Sequence, residues 1–227
     1  MPDLNWKPAR LPQRVPLAGE TVVLEPLAPA RHADALFASS KDAPELWKHL
    51  AYGPFADQEA FTSWLRDRAA TDDPLFYALV DGAAGEARGM ASYLRIESGH
   101  GVIEIGHIWF APALQRTRQA TEAIYLMARH AFDDLGYRRL EWKCDSMNGP
   151  SRRAAERFGF TYEGIFRQHM VVKDRNRDTA WYAITDAEWP SRRAAFEAWL
   201  APENFDLEGR QRRSLAEYRA LSTDKSD

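Results

Sequence analysis

One helical stretch held between two strand-like runs constrains this sequence more than any other feature. GVIEIGHIWF (101–110) and RRLEWKCD (138–145) both read as strands. Between them Ala120, Ala123, Ile124, Met127, Ala128, Ala131 and Phe132 recur at helical spacing, Arg129, Asp133 and Asp134 face elsewhere, and Gly136 marks the end. Helices joining consecutive strands imply a sheet that is partly parallel.

The remaining elements arrange themselves around this unit. TVVLEPL (21–27) is a short strand, followed by helical patterns near 30–39, 42–49 and 57–70. LFYALVD (75–81) and ARGMASYLRIE (87–97) flank the turn sequence GAAGE, and with 101–110 they make an antiparallel meander. GPSRRAAERFGF reads as a helix with Pro150 in its first turn and Gly159 at its end. Strands are expected at 161–173 and 176–189, then two terminal helices in SRRAAFEAWLA and EGRQRRSLAEYRALS. Four prolines within residues 1–20 predict an extended arm. The division is therefore an arm (1–20), an α/β domain (21–189) and a helical extension (190–227).

Composition narrows the function. With 227 residues and 45% hydrophobic content the chain can fill a core. A formal net charge of −3 provides no global field for nucleic acid, and GRQRRS is too short a basic cluster to identify a partner. The single cysteine, Cys144, cannot form an internal disulfide or build a thiolate zinc site, so no metal is expected and a reducing, cytoplasmic setting fits. No run approaches the ~18 apolar residues of a membrane span.

Residues 101–167 then resemble a known family. The stretch through PALQRTRQATEA, the DSMNGPS run after a strand, and RFGFTYEGIFR are similar in order and spacing to the GCN5-related N-acetyltransferases (GNAT superfamily), particularly the RimJ/RimL-like branch that acetylates ribosomal-protein N-termini. The resemblance covers about residues 20–189. It implies a mixed, mostly antiparallel twisted sheet splayed into a V, with acetyl-CoA in the split and an amine approaching from the other side.

Site residues follow from the same resemblance. The family's Q/R-x-x-G-x-G/A loop reads Gln115, Arg116, Thr117, Arg118, Gln119, Ala120, with Arg118 where the first glycine is usual. A helix starting near Thr117 offers unpaired N–H groups and a positive dipole end to a pyrophosphate, so binding should survive, with Arg116 and Arg118 adding charge. In IWFAPA, where Pro112 stops regular pairing, a bulge should free the Phe110 N–H for the thioester oxygen. An attacking ammonium must lose a proton. Glu104, alternating with Gly106, Ile108 and Phe110 on one strand face, is the first acceptor candidate and His107 the second; an ion pair and a local hydrogen bond are their ordinary structural roles. Ser151 resembles the serine that protonates the leaving sulfur, since Ala154 and Ala155 stand where other branches use tyrosine; the same hydroxyl suits a helix cap. Asn148 corresponds to the asparagine that contacts the pantetheine arm. Arg152, Arg153 and Arg157 are weaker candidates for the 3′-phosphate, and Cys144 reads as a packed residue.

For the acceptor, Trp47, Tyr52, Phe55, Tyr93 and Trp109 are expected to form an aromatic wall, with specificity in 45–55 and around His169 and Met170. Met170 stands about where the ribosomal branch carries a glutamate. The acceptor is then a peptide or protein N-terminus or a small amine. A non-catalytic acyl-CoA sensor is the reading from a different class, and the terminal helices offer either cover for the sheet edge or a homodimer contact.

Overall fold

The structure, a computed structural model, describes residues 5–223. Its strands are β1 (Leu17–Ala18), β2 (Val22–Pro26), β3 (Leu75–Asp81), β4 (Ala87–Glu97), β5 (Val102–Phe110), β6 (Arg139–Asp145), β7 (Thr161–Val172) and β8 (Arg175–Thr185). They form one sheet in the order β1-β2-β3-β4-β5-β6-β8-β7. The helices are α1 (Pro29–Ser40), α2 (Gln58–Ala69), α3 (Arg118–Arg129), α4 (Gly149–Arg157), α5 (Trp189–Leu200) and α6 (Leu215–Thr223).

Side-chain alternation assigns the two faces. In β3, Leu75, Tyr77 and Leu79 enter the larger core, beneath α3 and α5. Phe76, Ala78 and Val80 enter the smaller one, with Ala33 and Leu36 of α1 and Phe61 and Leu65 of α2. Both faces of the central sheet are thus covered, which explains why β3 is buried throughout. Helix starts follow local chemistry: Asp57 caps α2 by accepting from the Ala60 N–H at 2.8 Å, and Thr117 caps α3 by accepting from Ala120 at 3.1 Å.

The pairing is less parallel than expected. The helical crossover through α3 makes β5 and β6 parallel. Although α4 joins β6 to β7, β8 inserts between them and pairs antiparallel with both. The pattern at 42–49 also shortens to a single 3₁₀ turn, Pro44–Trp47, because the chain drops Trp47 into the smaller core there.

Both ends join the main body. Residues 1–4 of the expected arm lie outside the described residues. From residue 5 the arm is strapped on, with Trp6 Nε1 donating to the Gly99 carbonyl at 2.8 Å, and it finishes as β1 against β2. The C-terminal helices do not form a separate layer: Trp189, Phe196, Trp199, Leu200 and Leu215 share the core of α3. Trp189 Nε1 donates to Asp133 at 2.7 Å, and the Tyr125 hydroxyl donates to Glu197 at 3.0 Å. Their apolar faces cover this chain's own helices.

Candidate active site

The sheet opens between β5 and β6. They pair only through Val102–Glu104 and Arg139–Glu141, after which β5 stays with β4 and β6 with β8. A seam opens between two strands whose edges inside the sheet are no longer joined.

At one end of the seam stands the start of α3. Among the described residues none accepts from the backbone N–H of Arg116, Thr117, Arg118 or Gln119. Arg116 has φ +62°, a left-handed backbone of the kind that occurs in anion-binding turns. Arg118 adopts ordinary helical backbone as the first residue of α3, so the left-handed residue of the loop is Arg116 instead. Its side chain also departs from expectation. The guanidinium turns back to Glu20, at 2.7 Å, to the Leu200 carbonyl and to the Phe205 ring, so Arg116 alone keeps an exposed charge in the loop.

Gln115 Nε2 donates to the Phe110 carbonyl at 2.9 Å. The Ala111 N–H donates to Arg88 at 2.9 Å, which makes Gly89 and Phe110 a non-hydrogen-bonded pair. The Phe110 N–H consequently points away from β4 into the seam.

The bulge of β5 lies earlier than Pro112 suggested. Met90 faces Trp109 while Ser92 faces Gly106, so two residues, His107 and Ile108, oppose Ala91 alone, with His107 at φ +51°. The extra residue reverses the phase. Glu104 and Gly106 face the cavity, whereas Ile108 and Phe110 pack on the larger core beside Ile103 and Ile105, with Ile105 and Ile108 also touching the cavity. The expected single face from Glu104 to Phe110 is therefore broken at the bulge.

Where the strands part lies a cavity of about 140 Å³. Glu104, His107, Asn148 and Ser151 line it together, joined by His49, Arg95, Lys143, Asp145, His169 and Arg177. Three bulges turn basic residues toward it. His107 sits in the first. Arg95, at φ +49°, sits in a second, its N–H and that of Ile96 donating to Asp73 at 2.8 and 3.0 Å. His169 follows Gln168, at φ +51°, whose N–H donates to Asp178 at 2.7 Å.

Glu104 is buried, and that desolvation raises its pKa against the pull of Lys143 and Arg95. Lys143 Nζ lies 3.1 Å from Glu104 Oε2, off the hydrogen-bond line, so the oxygen keeps no aligned donor among the described residues. The same ammonium pairs with Glu141 at 2.5 Å and sits 3.8 Å from the Trp181 ring centroid. Burial pushes His107 down to about 4, leaving a neutral, weak base at pH 7; its Nδ1 is 3.2 Å from the Tyr52 hydroxyl.

At α4 the cap is Asn148, whose Oδ1 accepts from the Ser151 N–H at 3.1 Å. Ser151 Oγ instead accepts from Trp142 Nε1 at 3.0 Å. Beside it, burial pushes the Cys144 thiol up, as suits a packed residue. Arg157 is engaged with Thr121 and Arg152 with Tyr182, at 3.0 and 3.1 Å, while Arg153 is exposed.

The expected aromatic wall is mostly core. Tyr93 is fully buried, its hydroxyl donating to the Met127 carbonyl at 2.6 Å, because its strand phase turns it toward α3 and away from the cavity. Trp47 and Trp109 pack together in the smaller core with Phe55 against them, and Tyr52 reaches the site only through His107. Polar groups take their place. His49 Nδ1 lies 3.1 Å from Asp145, and Lys173 donates to the carbonyls of Trp47 and Gly53 at 2.8 and 2.6 Å, tying the 44–55 segment across the cavity. His49 lies inside a segment singled out for specificity, whereas Lys143 carried no signal in a strand that also holds Arg139, Glu141 and Asp145.

The structure is thus an open mixed sheet whose seam runs from the start of a helix to a cavity holding a buried carboxylate. The Acetyltransferase (GNAT) domain family matches residues 21–161. A GCN5-related N-acetyltransferase from Brucella melitensis is 51% identical, covering 96% of this chain and 99% of its own, with a TM-score of 0.94. A probable GNAT-family acetyltransferase from Chromobacterium violaceum is 46% identical, covering 84% and 96%, with a TM-score of 0.79. A Bacillus subtilis protein named "Putative ribosomal N-acetyltransferase YdaF" is 29% identical over 105 residues, 46% of this chain and 57% of its own, so the match spans little more than half of that relative. This chain belongs to the GNAT acetyltransferase family.

Proposed function

We propose that the protein is an acetyl-CoA-dependent N-acetyltransferase that moves an acetyl group to a primary amine by direct attack in a ternary complex. The observation that carries the reading is the β5–β6 seam, which runs from the free N–H groups of 116–119 to the cavity of Glu104 and Ser151. A cytoplasmic setting belongs to the same proposal; no helix among the described residues is long and apolar enough to cross a membrane.

The residues present fit acetyl-CoA, which supplies the activated acyl group. The 116–119 amides seat its pyrophosphate, and Asn148 meets the pantetheine arm with the amide N–H₂ that capping leaves available. The Phe110 N–H, fixed in the seam, donates to the thioester oxygen as that oxygen gains charge, a contribution of roughly 10²–10³ in rate. Glu104, a carboxylate whose pKa burial raises, accepts the proton the ammonium must lose. Ser151, its oxygen already accepting from Trp142, donates a hydrogen bond to the departing sulfur.

Calorimetric titration with acetyl-CoA, followed by thiol release over an amine panel, tests this. One-site binding with amine-dependent release is expected. Binding without release over the whole panel would make the protein an acyl-CoA sensor, and folded protein that does not bind would end both readings.

A further inference from the structure

Two cations of the cavity take no part in the chemistry just described, and their placement bears on the acceptor. Arg95 is 44% exposed at its side chain and reaches one carboxylate of the site, Glu104, with a single nitrogen at 3.4 Å. Its left-handed backbone is sparsely populated by residues other than glycine, and Asp73 holds it there with two N–H contacts. Arg177 donates Nε to Thr179, a neutral hydroxyl, at 3.2 Å. Both line the cavity with Glu104 and Ser151.

The other charges around the cavity are already matched. Lys143 is shared between Glu104 and Glu141, and Asp145 faces His49. Among the groups that line the space, Arg95, Lys143 and Arg177 outnumber Glu104 and Asp145 by one, and Glu141, behind Lys143, is already engaged by Arg139 at 2.8 Å. The same excess is felt by its neighbours: after burial, Arg95 and Arg177 are among the causes that depress both His107 and His169. His169 Nδ1 is held by Thr179 at 2.9 Å, so its ring stands at the cavity beside Arg177.

We propose that the acceptor carries a carboxylate close to its reacting amine, and that Arg95 and Arg177 receive this carboxylate across the cavity from Ser151. A planar carboxylate matches the forked donors of guanidinium, and its charge offsets the excess that the cavity's own acids leave. Such a carboxylate comes either from a free amino acid or from an acidic residue next to a peptide N-terminus. The proposal rests on the acetyltransferase reading.

Two matched pairs test it with the full-length chain at saturating acetyl-CoA. One pair is a free amino acid and its amide; the other is a short amidated peptide with Asp or Asn as its second residue. The carboxylate member of at least one pair should show a kcat/KM about tenfold higher or more, the scale of one charge-assisted hydrogen bond, carried mainly in KM. Which pair responds identifies the source. Arg177→Gln and Arg95→Gln should each pull the acid-to-amide ratio toward one, while Arg177→Lys keeps part of it; melting curves confirm that the variants fold. Equal rates within both pairs, a ratio untouched in both Gln variants, or no turnover of any member by protein that binds acetyl-CoA overturns the carboxylate proposal alone. Failure of the folded protein to bind acetyl-CoA overturns it together with the reading beneath it.

Discussion

At α4 two neighbouring residues divide duties that either might have performed. Asn148 takes the cap, so the Ser151 oxygen accepts from Trp142 Nε1 instead of from the helix start. Ser151→Ala should slow acetyl transfer in single-turnover experiments by about 10²-fold, the scale of one positioned proton donor, with a stability loss of ~1 kcal/mol or less. His107 carries a pH signature of a different kind. Its folded pKa lies below the ordinary 6.5, at about 4, so as pH falls the unfolded chain takes up this proton first. The stabilisation is full above 6.5 and lost on the way down to about 4. It amounts to no more than ~3 kcal/mol. Urea unfolding at pH 7 and near pH 4.5 should show a smaller difference for His107→Gln than for the parent chain. That Glu104, His107, Asn148 and Ser151 would lie close together was legible in the sequence because motif order carries their placement, and all four line the cavity. Arg95, Arg177, His49 and Lys143 were less so, because they meet only through pairing between distant strands. Tyr93 misled for a simpler reason: adjacent strand residues face opposite sides, and the residue beside it, Leu94, lines the cavity.

The elements themselves were easier to read than their irregularities. The strands 75–81 and 87–97 appear with the ends that alternation predicted, and α3 begins one residue after the Thr117 expected near its start. Bulges leave little trace in composition, since one extra residue changes which side chains face inward without changing how apolar the strand is. The bulge at Arg95 can be probed through its clamp. Asp73→Ala removes the acceptor of two backbone N–H groups, and should cost ~1–2 kcal/mol. Faster amide exchange confined to Arg95 and Ile96 would accompany it; unaltered exchange there would mean that the strand holds this conformation without Asp73.

For the molecule as a whole, the segment from residue 190 onward packs into the same core as the elements before it. Trp189, Phe196, Trp199 and Leu200 belong to the same core as α3. Side chains of this size contribute ~2 kcal/mol each when buried, and a domain's entire net stability is ~5–15 kcal/mol. A chain ending at Glu188 should therefore fail to fold cooperatively, with soluble, sharply melting protein as the contrary result. The arginine that replaces a loop glycine gives this union a further meaning. Arg118 opens the helix whose amides form the anion seat, and its guanidinium is moored to the Leu200 carbonyl and the Phe205 ring. The start of α3 and the tail are therefore expected to open as one cooperative unit. A nucleotide held at 116–119 would quieten hydrogen exchange in the tail around 199–205, and a loosened tail would be felt as a weaker grip on the nucleotide.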